Sequence, residues 1–199
     1  MNSKTILIVS GEPNSIFLEI YFKILKFKKI KSPLILISSE KLLRLQMRKL
    51  RFKKKINILN FSSLDKYKLD NKSINLIDVK YNPTKAFEKV SKKSNSFIMK
   101  SFDIAFKILR KGQIKKFING PILKKNFLSS KYLGITEYIS KEFNKKKTCM
   151  LIYNKKLSVT PVTTHLPIKL VSKKINKKNI SDKVFLINNF YVKKFGFKP

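Results

Sequence analysis

The stretch Lys4-Thr-Ile-Leu-Ile-Val-Ser10 constrains the fold most. It is a short β-branched apolar run, stopped by Gly11 and Pro13, and followed at once by "NSIFLEIYFKILKF", whose apolar residues recur at helical spacing. A buried strand feeding a helix through a tight turn is half of a βα unit, and a chain that repeats it stacks strands between helices. This chain repeats it. "PLILISS" (33–39) predicts a second strand and "SEKLLRLQMRKL" a second helix, while "INILNF" and "INLIDVKY" are strand-like. "TKAFEKVSKKSNSFIMKSFDIAFKILRKG" predicts a long amphipathic helix with a break near Ser94 and a stop at Gly112. A strand at "KKFIN", a helix from Pro121 and another from Thr136 follow. "TCMLIYNKKLSVTPVTT" reads as two strands joined by a tight turn at Asn154 and Lys155, and helical patterns near 167–175 and 181–195 finish the chain. Asn14 or Ser15 is the expected cap of the first helix. The expected fold is therefore α/β, a three-layer α/β/α arrangement around a mostly parallel sheet. No repeat, low-complexity linker or clear domain boundary interrupts residues 1–199, which read as one domain. Gly196 and Pro199 close the last helix and lead outward, so the chain reads as cut before a further strand.

A hydrophobic fraction of 43%, with 16 Phe and 7 Tyr, argues for a folded protein despite a net charge of +35. Only Arg44, Arg48, Arg51 and Arg110 among the 46 basic residues are arginine; the rest are lysines scattered from end to end. A nucleic-acid reader clusters its basic residues on one face and uses Arg for bidentate contacts, so this pattern points to solvated surface lysine and codon bias. The densest run, "RKLRFKKKINI" (48–58), reads as an exposed helix end and loop. The field of such a chain still attracts anionic substrates. Cys149 stands alone in "CMLIY" and can form neither an intrachain disulfide nor a thiolate cage, so a reducing cytoplasm and a buried thiol are expected. "ILIV" is too short for a signal-peptide core or a membrane span.

The five glycines, at 11, 112, 120, 134 and 196, form neither a G-x-G-x-x-G fingerprint nor a P-loop. His165 is the only histidine, so no histidine pair for zinc exists within the chain. Three segments have the character of site loops, each placing small or polar residues after a strand: "SGEPNS" (10–15), "NGPILKK" (119–125) with "LGITE" (133–137), and "TTHLP" (163–167). Singly, each reads as well as a turn, a helix cap or a hydrogen-bonded histidine.

In order, these segments resemble the 4-hydroxythreonine-4-phosphate dehydrogenase family of vitamin B6 biosynthesis. "GEPNSIFLE" keeps Gly11, Glu12, Pro13, Ile16 and Glu19 of that family's opening loop, "GPILK" and "LGITEYIS" stand for its middle signatures, and "VTTHLPIK" is nearly its complete Val-Thr-Thr-His segment. The resemblance implies an isocitrate/isopropylmalate dehydrogenase-like fold of two lobes, with residues 1–199 forming the N-terminal part. It implies an NAD-dependent dehydrogenase that oxidises and decarboxylates 4-phosphohydroxy-L-threonine on the way to pyridoxal phosphate. It also implies a divalent metal cation (Zn, Mg or Co), which polarises the substrate hydroxyl and then stabilises the enolate.

Carried over residue by residue, His165 takes the role of one of three metal histidines and Thr136 that of a substrate contact. Ile135 stands where the family has a substrate-binding histidine, and cannot hydrogen-bond; Leu123 replaces an asparagine; Ser15 and Phe17 replace two glycines; Lys124 is kept. No catalytic acid or base and no NAD contact is assigned in this chain. The other two metal histidines and most NAD contacts are expected in the missing second lobe. Residues 1–199 alone are therefore expected to be inactive, and the full-length protein a cytoplasmic homodimer. A second reading, a non-catalytic basic protein derived from the same fold and binding nucleic acid or an acidic partner, accounts for the charge. It leaves Thr163, Thr164, His165 and Pro167 unexplained.

Overall fold

Strand β1 (Ile6–Val9) lies between β2 (Leu34–Ser38) and β5 (Lys116–Asn119), and β2 pairs on its other side with β4 (Ile74–Asp78), which pairs with β3 (Ile56–Ile58). Every pairing is parallel, in the order β3-β4-β2-β1-β5, with Ile6 in register with Leu34 and Lys116. The computed structural model describes residues 5–123, 132, 134–145 and 147–199. They belong to two units, Met1–Ser129 and Ser130–Pro199, each described by itself.

In the first unit β1 and β2 are apolar at nearly every position because both faces of the sheet are covered. Alternation sends Ile8, Leu34, Leu36, Ile74 and Leu76 to one face, where they pack with Leu18, Tyr21 and Phe22 of α1 (Phe17–Phe27) and Leu42, Leu43 and Met47 of α2 (Glu40–Lys49). Leu7, Val9, Ile35 and Ile37 turn to the opposite face, covered by α3 (Asn95–Arg110) with its buried Phe97, Phe102 and Phe106. Each such aliphatic side chain contributes about 1.5–3 kcal/mol on burial. This is the expected α/β layering. Burial also pushes the Tyr21 phenol well above its ordinary pKa, so it stays neutral in the core.

Helix α2 is capped by Ser39, whose Oγ accepts from the Leu42 N–H at 3.3 Å, and the Asp78 carboxylate at the end of β4 accepts from the Glu40 N–H at 2.7 Å. Ser39→Ala is expected to lower the stability of this unit by about 1 kcal/mol, measurable as a shift in the denaturation midpoint.

Several sequence expectations are corrected. Helix α1 starts at Phe17 behind Ile16, whose side chain makes no cap bond; of the two expected caps Ser15 serves, its Oγ accepting from the Phe17 N–H at 3.3 Å, while Asn14 is committed elsewhere, its Oδ1 accepting from the Glu88 N–H at 3.0 Å. The long helix begins only at Asn95, after a 3₁₀ turn at Lys92–Ser94, because the polar groups of residues 84–88 are already taken. The expected hairpin is a single antiparallel bridge between Ile152 and Val159. Side chains compete for its backbone: Asn154 Oδ1 accepts from the Lys156 N–H, and Ser158 Oγ donates to the Asn154 carbonyl. Cys149 is partly buried, lining an open recess of about 340 Å³ with Leu151, Leu186, Ile187 and Phe190. Of the helix expected from Pro121, residues 121–123 are non-helical and the remainder, with Lys124, lies outside the described residues.

In the second unit α4 (Ile135–Glu142), α5 (Ile168–Lys174) and α6 (Lys177–Phe195) match the helical patterns of the sequence. Helix α6 ends on Gly196 at φ +78°, whose N–H donates to the carbonyls of Tyr191 and Val192. Tyr191 is buried under Phe190, Phe195 and Phe197, while Ile180, Val184 and Phe185 of the same helix are exposed. No described helix is long and apolar enough to cross a membrane.

Candidate active site

From β1 the chain passes to β2 on one side, and from β4 it crosses to β5 on the other side of β1, so the C-terminal ends of β1 and β5 lie at the switch point where α/β sheets place their ligands. The first candidate loop and the start of the second, residues 119–121, meet there, and their backbones close the gap. Glu12 N–H donates to the Pro121 carbonyl at 2.7 Å and Gly120 N–H to the Val9 carbonyl at 2.7 Å. A Cβ on Gly120 would lie 2.0 Å from the Ser10 carbonyl oxygen, and one on Gly11, already at φ +71°, 2.4 Å from the Pro121 oxygen. These glycines are required by close backbone contact.

Polar side chains of the first loop are likewise engaged within the unit. Glu12 is only 5% exposed; its Oε2 accepts from Ser94 Oγ at 2.8 Å and its Oε1 from the Asn14 N–H at 3.3 Å. Buried Gln46 donates through Nε2 to the Pro13 and Ala86 carbonyls. Its Oε1, with Ser10 Oγ and Ser38 Oγ, is buried without a partner among the described residues. The Gly-Glu-Pro loop thus ties the end of β1 to α2 and to the start of α3. Leu123, at the asparagine position, is exposed.

Residues 84–88 support this loop. The Glu88 carboxylate accepts from Thr84 N–H, Thr84 Oγ1 and Lys85 N–H at 2.7, 2.8 and 3.1 Å, which holds its pKa below the ordinary glutamate range, with nearby Lys93 helping. Because the folded value is depressed, the contribution is complete at neutral pH, persists down to the ordinary glutamate pKa, and is lost as pH falls through the lower one. Hydrogen exchange at the Thr84 and Lys85 amides is expected to show that acid-side loss of protection, and Glu88→Gln to abolish its pH dependence. Tyr81, beside this turn, is raised by burial, a shift opposed by its hydrogen bond with Asn14 and increased by Glu88 and Glu12.

In the second unit Gly134 caps α4 without a side chain, so nothing of its own covers the N–H groups of the first turn. Ile135, Thr136 and Glu137 are all partly buried in that turn. The Val-Thr-Thr-His segment brings His165 to the same place. His165 is exposed and sits at φ +58°, a left-handed conformation that costs roughly 1–3 kcal/mol in a non-glycine residue and that histidine tolerates better than most. Its Nε2 lies 3.3 Å from the position a Gly134 Cβ would take, and Glu137 Oε2 lies 2.9 Å from that same position. That Glu137 oxygen is buried and has no hydrogen-bond partner among the described residues.

An imidazole nitrogen and an orphaned carboxylate oxygen facing one point are the donors a divalent cation takes, so the residues fit in kind. Two donors are fewer than the three protein ligands of a catalytic zinc site, and among the described residues no group of three or more His, Cys, Asp or Glu is assembled. Sequence reading placed Glu137 only within a helix-cap pattern. The available signal was an acidic residue after Gly134, one of just 11 acids in a chain with 46 bases.

A parallel α/β sheet of this kind is found in crystallised 4-hydroxythreonine-4-phosphate dehydrogenases. The Klebsiella pneumoniae structure matches with a TM-score of 0.82 at 20% identity, covering 98% of this chain and 61% of that one. The Burkholderia phymatum structure matches with a TM-score of 0.80 at 21% identity, covering 95% and 58%. These define the fold class. Residues 29–199 match the family model "Pyridoxal phosphate biosynthetic protein PdxA", and the chain belongs to this family. It is 32% identical to the 4-hydroxythreonine-4-phosphate dehydrogenase of Aquifex aeolicus, covering 99% of this chain and 61% of that protein. It is also 32% identical to the enzyme of that name from Sulfurihydrogenibium sp., covering 96% and 59%. The chain spans about three-fifths of the length of these curated relatives.

Proposed function

We propose that this chain supplies the metal-binding and substrate-binding part of an NAD- and metal-dependent 4-hydroxythreonine-4-phosphate dehydrogenase, acting in the cytoplasm as a homodimer in pyridoxal phosphate biosynthesis. The observation that carries this reading is His165, held in a left-handed turn with its Nε2 beside Gly134 and the orphaned Glu137 oxygen. His165 is a metal ligand supplied by this chain. A divalent cation held there would supply positive charge against the substrate hydroxyl oxygen and ease loss of its proton.

In the proposed oxidation NAD would accept a hydride from the hydroxyl-bearing carbon as a proton leaves the oxygen. The resulting ketone lies β to the carboxylate, so carbon dioxide leaves with its bonding electrons passing to the ketone as an enolate. Thr136 and the N–H groups at the start of α4, which have no side-chain cap from Gly134, hold an anionic group of the substrate and fix its orientation. Ile135 brings only hydrocarbon to the position of the family histidine, so one polar substrate contact is lost and selectivity for this phosphorylated hydroxy amino acid is reduced. The exposed apolar residues of α6 are the surface offered for association with a second copy.

With one histidine, residues 1–199 bring a single member of a three-histidine ligand set and are inactive alone. The test is formation of reduced NAD from 4-phosphohydroxy-L-threonine with added divalent metal, by residues 1–199 and by the product of the whole reading frame. Metal-dependent turnover by the whole product and none by residues 1–199 is expected. A folded whole product that oxidises neither this compound nor related phosphorylated hydroxy acids would overturn the proposal.

A further inference from the structure

We propose that Glu137 is a second metal donor of the site, its Oε2 binding the same cation as His165 Nε2; this rests on the metal role of His165 given above. Three observations converge on it. A buried carboxylate oxygen without a partner is costly, and Glu137 Oε2 has none among the described residues. That oxygen and His165 Nε2 both lie within 3.3 Å of the space above Gly134, which a methyl group would fill. His165 adopts a left-handed backbone conformation, a cost that persists where the surroundings impose it.

A hydrogen bond between the two residues would also satisfy the oxygen, but the structure contains none. A cation answers both groups. It neutralises the carboxylate, takes the lone pair of neutral imidazole, and explains why the residue between them has no side chain. Ligation by one carboxylate and one imidazole is within the repertoire of zinc and cobalt. The role is distinct from helix capping, in which Glu137 would serve only the first turn of α4.

The single histidine makes the test direct, because every imidazole ¹⁵N signal of the 199-residue chain belongs to His165. Zn²⁺ is titrated into the wild-type chain, Glu137→Gln and Gly134→Ala, with the backbone amide spectrum reporting the fold. In the wild type Zn²⁺ is expected to shift the Nε2 resonance. Glu137→Gln keeps the side-chain size and is expected to weaken binding at least about tenfold. Gly134→Ala, whose methyl would crowd Glu137 Oε2 at 2.9 Å, is expected to weaken it in the same direction. Unchanged Zn²⁺ affinity in both folded variants, with Nε2 still shifting, overturns the role of Glu137 and leaves His165 as a ligand. A wild-type Nε2 resonance unmoved by a large excess of Zn²⁺ overturns the metal reading itself, and this proposal with it.

Discussion

Gly120→Ala is expected to destabilise the N-terminal unit by about 3 kcal/mol or more, at or beyond the upper end of ordinary overpacking costs. Its Cβ would sit 2.0 Å from the Ser10 carbonyl oxygen, and neither partner is a flexible side-chain end that can swing away. Relief requires β5 to separate from β1, breaking the Gly120 N–H to Val9 carbonyl bond and the adjacent bond from Glu12 N–H to Pro121. Gly112 provides the control. It has φ +75° and nothing within 4 Å of its would-be Cβ, so Gly112→Ala carries only the left-handed backbone cost of about 1–2 kcal/mol. Equilibrium denaturation of the two variants separates contact from conformation. Equal effects would show that the close approach of the two loops is not needed for stability.

His165→Ala is expected to reduce Zn²⁺ affinity by more than about 100-fold, since loss of an outer-shell partner alone typically costs 10–100-fold. Metal-dependent turnover by the whole protein is expected to fall by at least the same factor. Alanine also changes the backbone at φ +58°, so the informative companion is His165→Asn, because asparagine tolerates the left-handed region and lacks the imidazole. Both variants are expected to lose binding in calorimetric titration, with the thermal transition of His165→Asn close to that of the wild type. Retained affinity in His165→Asn would place the cation elsewhere.

The sequence exposed the sheet clearly because β1, β2 and β4 are buried from both sides, and continuous Ile, Leu and Val runs are the direct signature of that environment. Residues 84–90 misled for an identifiable reason. Ala86, Phe87 and Val90 carry helical spacing, yet Phe87 and Val90 are exposed, Gln46 takes the Ala86 carbonyl, and Glu88 takes the Thr84 and Lys85 amides. Long-range polar partners leave no trace in local periodicity. The same holds for the cap of α1, where Asn14 is drawn to Glu88, 74 residues away in the chain.

At the candidate site, His165 and Thr136 were legible only through the order of the motifs that contain them. Glu137 became visible only in three dimensions, because its significance lies in what its oxygen lacks and in the nitrogen it faces across Gly134. Ile135 was legible as a departure, and its partly buried position in the first turn of α4 makes it the residue to examine for altered substrate choice.

Anomalous diffraction at the zinc edge, from crystals of the protein grown with Zn²⁺, tests the central claim most directly. The account predicts a peak about 2.0–2.1 Å from His165 Nε2, on the side of that nitrogen that faces Gly134 and Glu137. Zinc bound only at other residues, with the His165 imidazole free of metal in well-ordered density, would contradict it.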